Sequence, residues 1–164
     1  NFSQENKHLY SPYKALSRIE ISSILFFLGI LLAIAAFESV VIGDVSMLRS
    51  GANSLSAAIP NTNIIIIILG FVSAIIDNVP LVAATQGMYS LTDFPVDHEM
   101  WHFIAFCAGT GGSILIIGSA AGVAVMGLEK IDFIWYAKKI GWLAFLGYTA
   151  GAIVHLALLK AGIA

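Results

Sequence analysis

Ser73-Ala74-Ile75-Ile76-Asp77-Asn78-Val79-Pro80 interrupts an apolar tract that runs from Ile64 to Tyr89. An acid, an amide and a proline stand where the rest of the tract reads as a hydrophobic helix. A carboxylate in the hydrocarbon region of a bilayer costs roughly 2.5 kcal/mol or more, so intramembrane acids face a partner, an ion or a water-filled path. Proline removes a backbone donor and blocks helix continuation. The backbone groups it frees must be buried in protein or line a cavity. The stretch reads as the tip of a re-entrant hairpin over 64–89, with Asp77 and Asn78 placed to bind a cation or a proton; the alternative role for Asp77 is to cap a half-helix that starts near Val79, with Pro80 in its first turn.

The rest of the composition agrees with a membrane setting. The chain is 59% hydrophobic and 11% charged, with a mean hydropathy of +0.90. Apolar runs of about twenty residues recur, the pattern of a polytopic membrane protein. Formal net charge is −2, which excludes the basic footprint of nucleic-acid binding. The single cysteine, Cys107, sits in an apolar run and forms no internal disulfide. No nucleophile–base pair or metal-ligand set marks an enzyme, and no cofactor is implied. The first residue is Asn and residues 1–20 are polar, so the opening reads as an interfacial segment of a fragment or processed piece, not as a leader.

Working outward, the two halves of the tract are short. Ile64–Ile76 is roughly 20 Å as a helix, less than a hydrocarbon core of about 30 Å. Each half reaches the midplane and turns back. Charge parity points the same way. Lys7, Lys14 and Arg18 place the N-terminus in the cytoplasm. Ile21–Ile42 then crosses outward. The loop Ser90–Glu99 carries Asp93, Asp97 and Glu99 without Lys or Arg, and reads as external. Lys130, Lys138 and Lys139 make the next loop internal. These signs agree only if residues 64–89 cross twice or not at all, and two full crossings are too long for them. Residues 43–63 read as a non-spanning connection with one surface helix.

The run from Trp101 to Leu128 crosses next, broken by Gly109-Thr110-Gly111-Gly112-Ser113 and by Gly118-Ser119-Ala120-Ala121-Gly122. Gly118 and Gly122 have the spacing of a close helix contact. Three glycines within four positions instead loosen a helix, since each costs about 1 kcal/mol against alanine. That segment reads as unwound, with carbonyls and the Thr110 or Ser113 hydroxyl free for an ion. Glu129–Lys139, with Trp135 and Tyr136, suits the headgroup layer. Ile140–Leu159 is the last crossing, with Gly147 and Gly151 at packing spacing. The domain reading is an interfacial segment over 1–20 and a membrane domain over 21–164. The fold class is all-α membrane protein, with three spanning helices and one re-entrant helical hairpin.

Four further polar residues stand out. Glu38 reads either as a helix-end acid reaching the interface or as part of an ion path. His98 and His102 share a helix face, but no third ligand accompanies them, so pH sensing or interface solvation fits better than a metal. His155 reads as a packing residue.

Together, Ser73–Pro80, Gly111-Gly112-Ser113 and Ile117–Val123 resemble the NhaD-type sodium/proton antiporters of the ion transporter superfamily. Arg18-Ile19-Glu20 before Leu25–Gly29 fits the same pattern. The resemblance runs from about Tyr13 onward. It implies one half of an inverted-repeat transporter, matching the C-terminal repeat, in a bacterial inner membrane. It implies Na⁺ and H⁺ as transported ions, with Li⁺ as a further candidate. The implied ion site is Asp77, Asn78, Thr110, Gly111, Gly112, Ser113 and Ser119, with Na⁺ at Asp77, Asn78 and Ser113. Expected partners are the lipid bilayer and the missing N-terminal repeat or a second chain, with a homo-oligomer also open. The alternatives are arsenite or anion efflux on the same fold, and a non-transporting membrane subunit. The tip carries no cysteine for arsenite, and its Asp-Asn-Val favours a titratable site over dicarboxylate binding.

Overall fold

The computed structural model describes residues 21–162; the expected interfacial segment over 1–20 lies outside them. The described chain is largely helical. It begins with α1 (Ile21–Ser39) and a ribbon of β1 (Val41–Ile42) and β2 (Val45–Ser46). Then come α2 (Met47–Ala58), α3 (Thr62–Val72), α4 (Asn78–Met88) and α5 (Glu99–Gly111). A 3-10 turn (Ile116–Gly118) leads to α6 (Ala120–Leu128) and α7 (Phe133–Tyr136). A π turn (Ala137–Gly141) joins α7 to α8 (Trp142–Lys160). The chain divides into two units, Asn1–Ala33 and Ile34–Ala164. The first contributes only the start of α1 to the described structure; the second holds every later element.

The first helix stops earlier than its apolar run. Val41 and Ile42 leave it to pair antiparallel with Val45 and Ser46, in the register Val41↔Ser46 and Ile42↔Val45. Gly43, at φ 68°, supplies the positive dihedral that the two-residue turn requires. Strands of two residues carry no period, so hydropathy alone reads them as helix.

The connection after the ribbon does contain one short helix. Ser46 caps α2, its Oγ accepting from the Arg49 amide at 3.3 Å. Arg49 also reaches across to Asp93, 3.0 Å away in the loop between α4 and α5.

Asn61 caps α3, its Oδ1 accepting from the Asn63 and Ile64 amides at 3.0 and 3.3 Å. One face of α3 then packs on α5, and α5 packs on α8. The buried positions recur at helical spacing: Ile66 and Gly70 on α3, Phe103, Cys107 and Gly111 on α5, Tyr148 and Ala152 on α8. Gly70 makes this approach possible, because a Cβ there would lie 2.6 Å from both the Cys107 Cβ and the Tyr148 hydroxyl. The Tyr148 hydroxyl donates to the Ile67 carbonyl at 2.5 Å. Asn61, His98 and Leu159 line one cavity of about 330 Å³. The starts of α3 and α5 and the end of α8 therefore lie together.

The last helix is longer than Ile140–Leu159. Asp132 Oδ1 accepts from the Trp135 amide at 2.8 Å and starts the helix at Phe133. Lys138 and Lys139 fall inside the π turn, not in a loop. Among the described residues Phe133–Lys160, 28 residues, is the one helix long and apolar enough to cross a bilayer; α2 and α3 reach that composition only as a pair, bent by 118°. Leu143, Leu146, Ile153 and Val154 of α8 are all more than half exposed. Such a surface calls for lipid or further protein around it.

Two helix breaks form the candidate site

The first break closes α3. Its last turn tightens into i→i−3 bonds, with the Ala74 amide donating to Phe71 O at 3.1 Å and the Ile75 amide to Val72 O at 2.9 Å. The carbonyls of Ser73, Ala74, Ile75 and Ile76 accept no hydrogen bond from the described residues. Asp77 is extended (φ −47°, ψ 139°) and caps α4. Its Oδ1 accepts from the Val79 amide at a long 3.4 Å. Pro80 falls in the first turn, where helix amides have no intrahelical partner and a missing N–H costs nothing.

The second break opens later than the glycines suggest. Thr110 and Gly111 are still helical, and the Thr110 hydroxyl donates to Phe106 O at 2.6 Å. The chain leaves the helix at Gly112 and re-enters one only at Ala120, after Ser119 (φ −150°, ψ 146°), whose Oγ accepts from the Gly122 amide at 3.1 Å. Ser113 is exposed, and its carbonyl accepts from the Tyr136 hydroxyl at 2.9 Å. The reason for the shift is packing. A Cβ on Gly111 would overlap the Gly70 carbonyl, so this glycine serves helix contact and not unwinding.

The two breaks meet backbone to backbone. A Cβ on Gly118 would lie 2.8 Å from the carbonyl oxygens of both Ser73 and Ala74 and would run into Gly112 O. A Cβ on Gly112 would lie 2.8 Å from Gly118 O and 3.5 Å from Ser73 Oγ. Ser73 is fully buried and donates to Ala108 O at 2.8 Å. Gly118 therefore does not act as part of a helix–helix stripe with Gly122. It ends a 3-10 turn against the other break, while Gly122 packs on Ile116 O.

Of the expected site residues, Gly112 is at this junction and Ser119 comes just after it. Asp77 and Asn78 are at the start of α4, both half-buried. No hydrogen bond joins either of them to Thr110, Ser113 or Ser119. Asn78 instead lines an open cleft with Gln86 and Gly109. Sequence reasoning assigned no role to Ser73 or Gln86. The signal for Ser73 is a hydroxyl followed by a small residue in the last turn before a break.

Of the remaining polar candidates, His98 and His102 have local partners. His98 caps α5, its Nδ1 accepting from the Met100 amide at 3.1 Å. His102 Nε2 lies 3.0 Å from Asp97 Oδ1. His155 stacks on Phe103 with ring centroids 4.4 Å apart. Glu38 is exposed, its carboxyl carbon 3.7 Å from where a Cβ on Gly87 would stand. Among the described residues no three His, Cys, Asp or Glu side chains are grouped to hold a metal ion.

Comparison with known proteins gives the family. The chain is 59% identical over 154 residues to "Sodium/proton antiporter 1" of Arabidopsis thaliana, a match covering 94% of the chain and 26% of that protein. It is 54% identical to "Sodium/proton antiporter 2" of the same plant, over 94% of the chain and 35% of the relative. It is 35% identical to "Na(+)/H(+) antiporter NhaD" of Alkalimonas amylolytica, over 90% of the chain and 29% of the relative. No family model matches, and no solved structure matches. The chain spans about a quarter to a third of the length of these relatives. Over that stretch the sequence groups with the sodium/proton antiporters.

Proposed function

We propose that the chain is one repeat of an inverted-repeat transporter that exchanges Na⁺, and also Li⁺, for H⁺, with Asp77 taking either a proton or the cation. The observation that carries this reading is the contact of the two helix breaks at Ser73, Ala74, Gly112 and Gly118. Helix ends leave unpaired carbonyls, and Ser73–Ile76 supply four of them beside an acid. Half-helix ends of this kind are where transporters hold small ions. Asn78 adds an amide oxygen; Ser113 and Ser119 belong to the facing break, and Thr110 and Gly111 form the last turn of the helix that leads into it. The names of the relatives support the ions; the residue assignments rest on the chemistry of the two breaks.

The re-entrant reading of 64–89 draws support from Arg49 and Asp93. Their 3.0 Å ion pair ties the segment before α3 to the loop after α4, so the pair of helices starts and finishes on one side. The cavity shared by Asn61, His98 and Leu159 extends the same side to the end of α8. In this arrangement α1, the broken α5–α6 unit and α7–α8 are the three crossings, and the side bearing Asp93 is external. The rest of the exchanger, as a second repeat or a second chain, covers the outer face of the breaks. The setting is a membrane carrying Na⁺ and proton gradients, bacterial or plant.

Exchange arises from competition. With Asp77 ionised, the carboxylate and the carbonyls around it hold Na⁺; protonation removes the charge and releases the ion. One bundle then rocks against the other to change the side of access. The test is Na⁺-induced proton release from the purified full-length protein, wild type beside Asp77→Asn. Saturable release in wild type that is lost in the variant is expected. Equal release in both would remove Asp77 from the mechanism.

A further inference from the structure

We propose that the cleft between α4 and α5 is the aqueous route by which the cation reaches the tip, with its mouth at the Asp97–His102 pair and Gln86 as the polar station along it. The proposal rests on the ion-exchange reading above and adds the path to it.

Two adjoining cavities make up the route. One, of about 370 Å³, holds Asn78 and Gly109. The other, of about 520 Å³, holds Asp97 and His102. They share Val82, Gln86 and Ala105 as walls, so they adjoin along one side of α4. Asn78, Val82 and Gln86 recur every four residues and form one stripe of α4; Ala105 and Gly109 form the facing stripe of α5. Asn78 and Gln86 are eight residues apart, about 12 Å along the helix.

The polar groups are spaced along this path. Asn78 stands at the tip, Gln86 in the shared middle and Asp97 at the mouth. Gln86 is exposed and makes no hydrogen bond to the described residues. An amide on an otherwise apolar helix face is unfavourable against lipid and favourable against water. Toward the tip the facing wall narrows to Ala105 and Gly109, and Gly109 is not there for packing: a Cβ on it would meet nothing within 4 Å. Asp97 adopts φ 72°, a left-handed conformation that non-glycine residues rarely take, and in it the carboxylate reaches His102 at 3.0 Å. An acid held in this way at the mouth attracts cations into the cleft.

The test is thiol accessibility in the full-length protein in membranes. Cys107 is fully buried, and any labelling of the parent protein is subtracted as background. Gln86→Cys, and Ala105→Cys as a second wall position, are compared with Val96→Cys, 79% exposed at the mouth. A membrane-impermeant thiol reagent is expected to label all three from the same side. Na⁺ is expected to slow labelling at Gln86→Cys severalfold when Asp77 is present, and not in the Asp77→Asn background. Labelling of Val96→Cys alone would overturn the route, showing the cleft sealed by the rest of the transporter. Labelling of the wall positions from the opposite side only, or at a rate that Na⁺ does not change, would overturn it as a cation path. Loss of Na⁺-dependent proton release is read separately, so a failure of the exchange reading leaves its own signature.

Discussion

Gly118 lies against the carbonyl oxygens of Ser73 and Ala74, so closely that an added Cβ would stand 2.8 Å from each. Both neighbours are backbone at the end of a helix and cannot turn aside as a flexible side chain would. Gly118→Ala is therefore expected to force the two breaks apart and to cost about 1–3 kcal/mol, the range for overpacking. Thermal unfolding of the detergent-purified protein checks this, and Na⁺/H⁺ exchange is expected to fall with it. A variant with wild-type stability and exchange would mean that the breaks do not touch in the working transporter.

The glycines of the helix core separate into two kinds. Gly70→Ala would meet Cys107 and Tyr148, and Gly111→Ala would meet the Gly70 backbone; both are expected to destabilise. Gly147→Ala meets nothing within 4 Å and replaces glycine inside a helix, which is expected to raise stability by up to about 1 kcal/mol. The same unfolding measurement on all three variants tests the pairing. A large loss at Gly147 would reveal a neighbour packed on that face of α8.

Asp77 combines a cap with a charge, and substitutions separate the two. Asn also caps helices well, so Asp77→Asn is expected to keep stability near wild type while losing Na⁺-dependent proton release. Asp77→Ala is expected to lose both, with a stability cost of about 1 kcal/mol or less, given a typical cap contribution and a 3.4 Å bond to Val79. Exchange retained in Asp77→Asn would reduce this residue to a cap.

Ser73 holds the first break to α5. Ser73→Ala removes the 2.8 Å bond to Ala108 O, a change expected to cost about 1 kcal/mol. The cost stays at that level because Ala108 O keeps the Gly112 amide at 3.2 Å. Ser73→Val adds volume at a fully buried position beside Gly112, and is expected to cost more and to impair exchange more. An equal effect of the two would show that the hydroxyl, and not the space, decides.

Tyr136→Phe frees the Ser113 carbonyl, which now accepts at 2.9 Å. Tyr136 is only half-buried, so stability is expected to change by less than about 1 kcal/mol. If Ser113 faces the ion, the apparent Na⁺ affinity shifts; an unchanged affinity would place Ser113 outside the site.

The membrane character and the first break were legible at the level of residues. An acid, an amide and a proline in an apolar tract break a helix for local reasons: proline lacks the donor, and Asp77 caps the next helix. The break itself lies earlier than Asp77–Pro80, at Ser73–Asp77, because Asp77 caps a helix that already holds Asn78 and Pro80. The pairing of Val41–Ile42 with Val45–Ser46 was not legible, because so short a ribbon has no period. The start of the last helix at Phe133 was obscured by its lysines, which a π turn accommodates.

Glycine meaning was the larger difference. The glycines between Gly109 and Gly122 announced a break in the helix without placing it, since glycine's backbone cost acts locally, wherever the residue stands. The sequence could not assign each glycine its task. Whether a glycine loosens a helix or admits a neighbour depends on which backbone arrives opposite, and that is a long-range matter. Tertiary structure gave Gly111 to the Gly70 contact, kept Thr110 helical and placed Gly118 on Ser73 and Ala74. The opposition of the two breaks, on which the candidate site rests, is thus a property of how α3 and α5 pack.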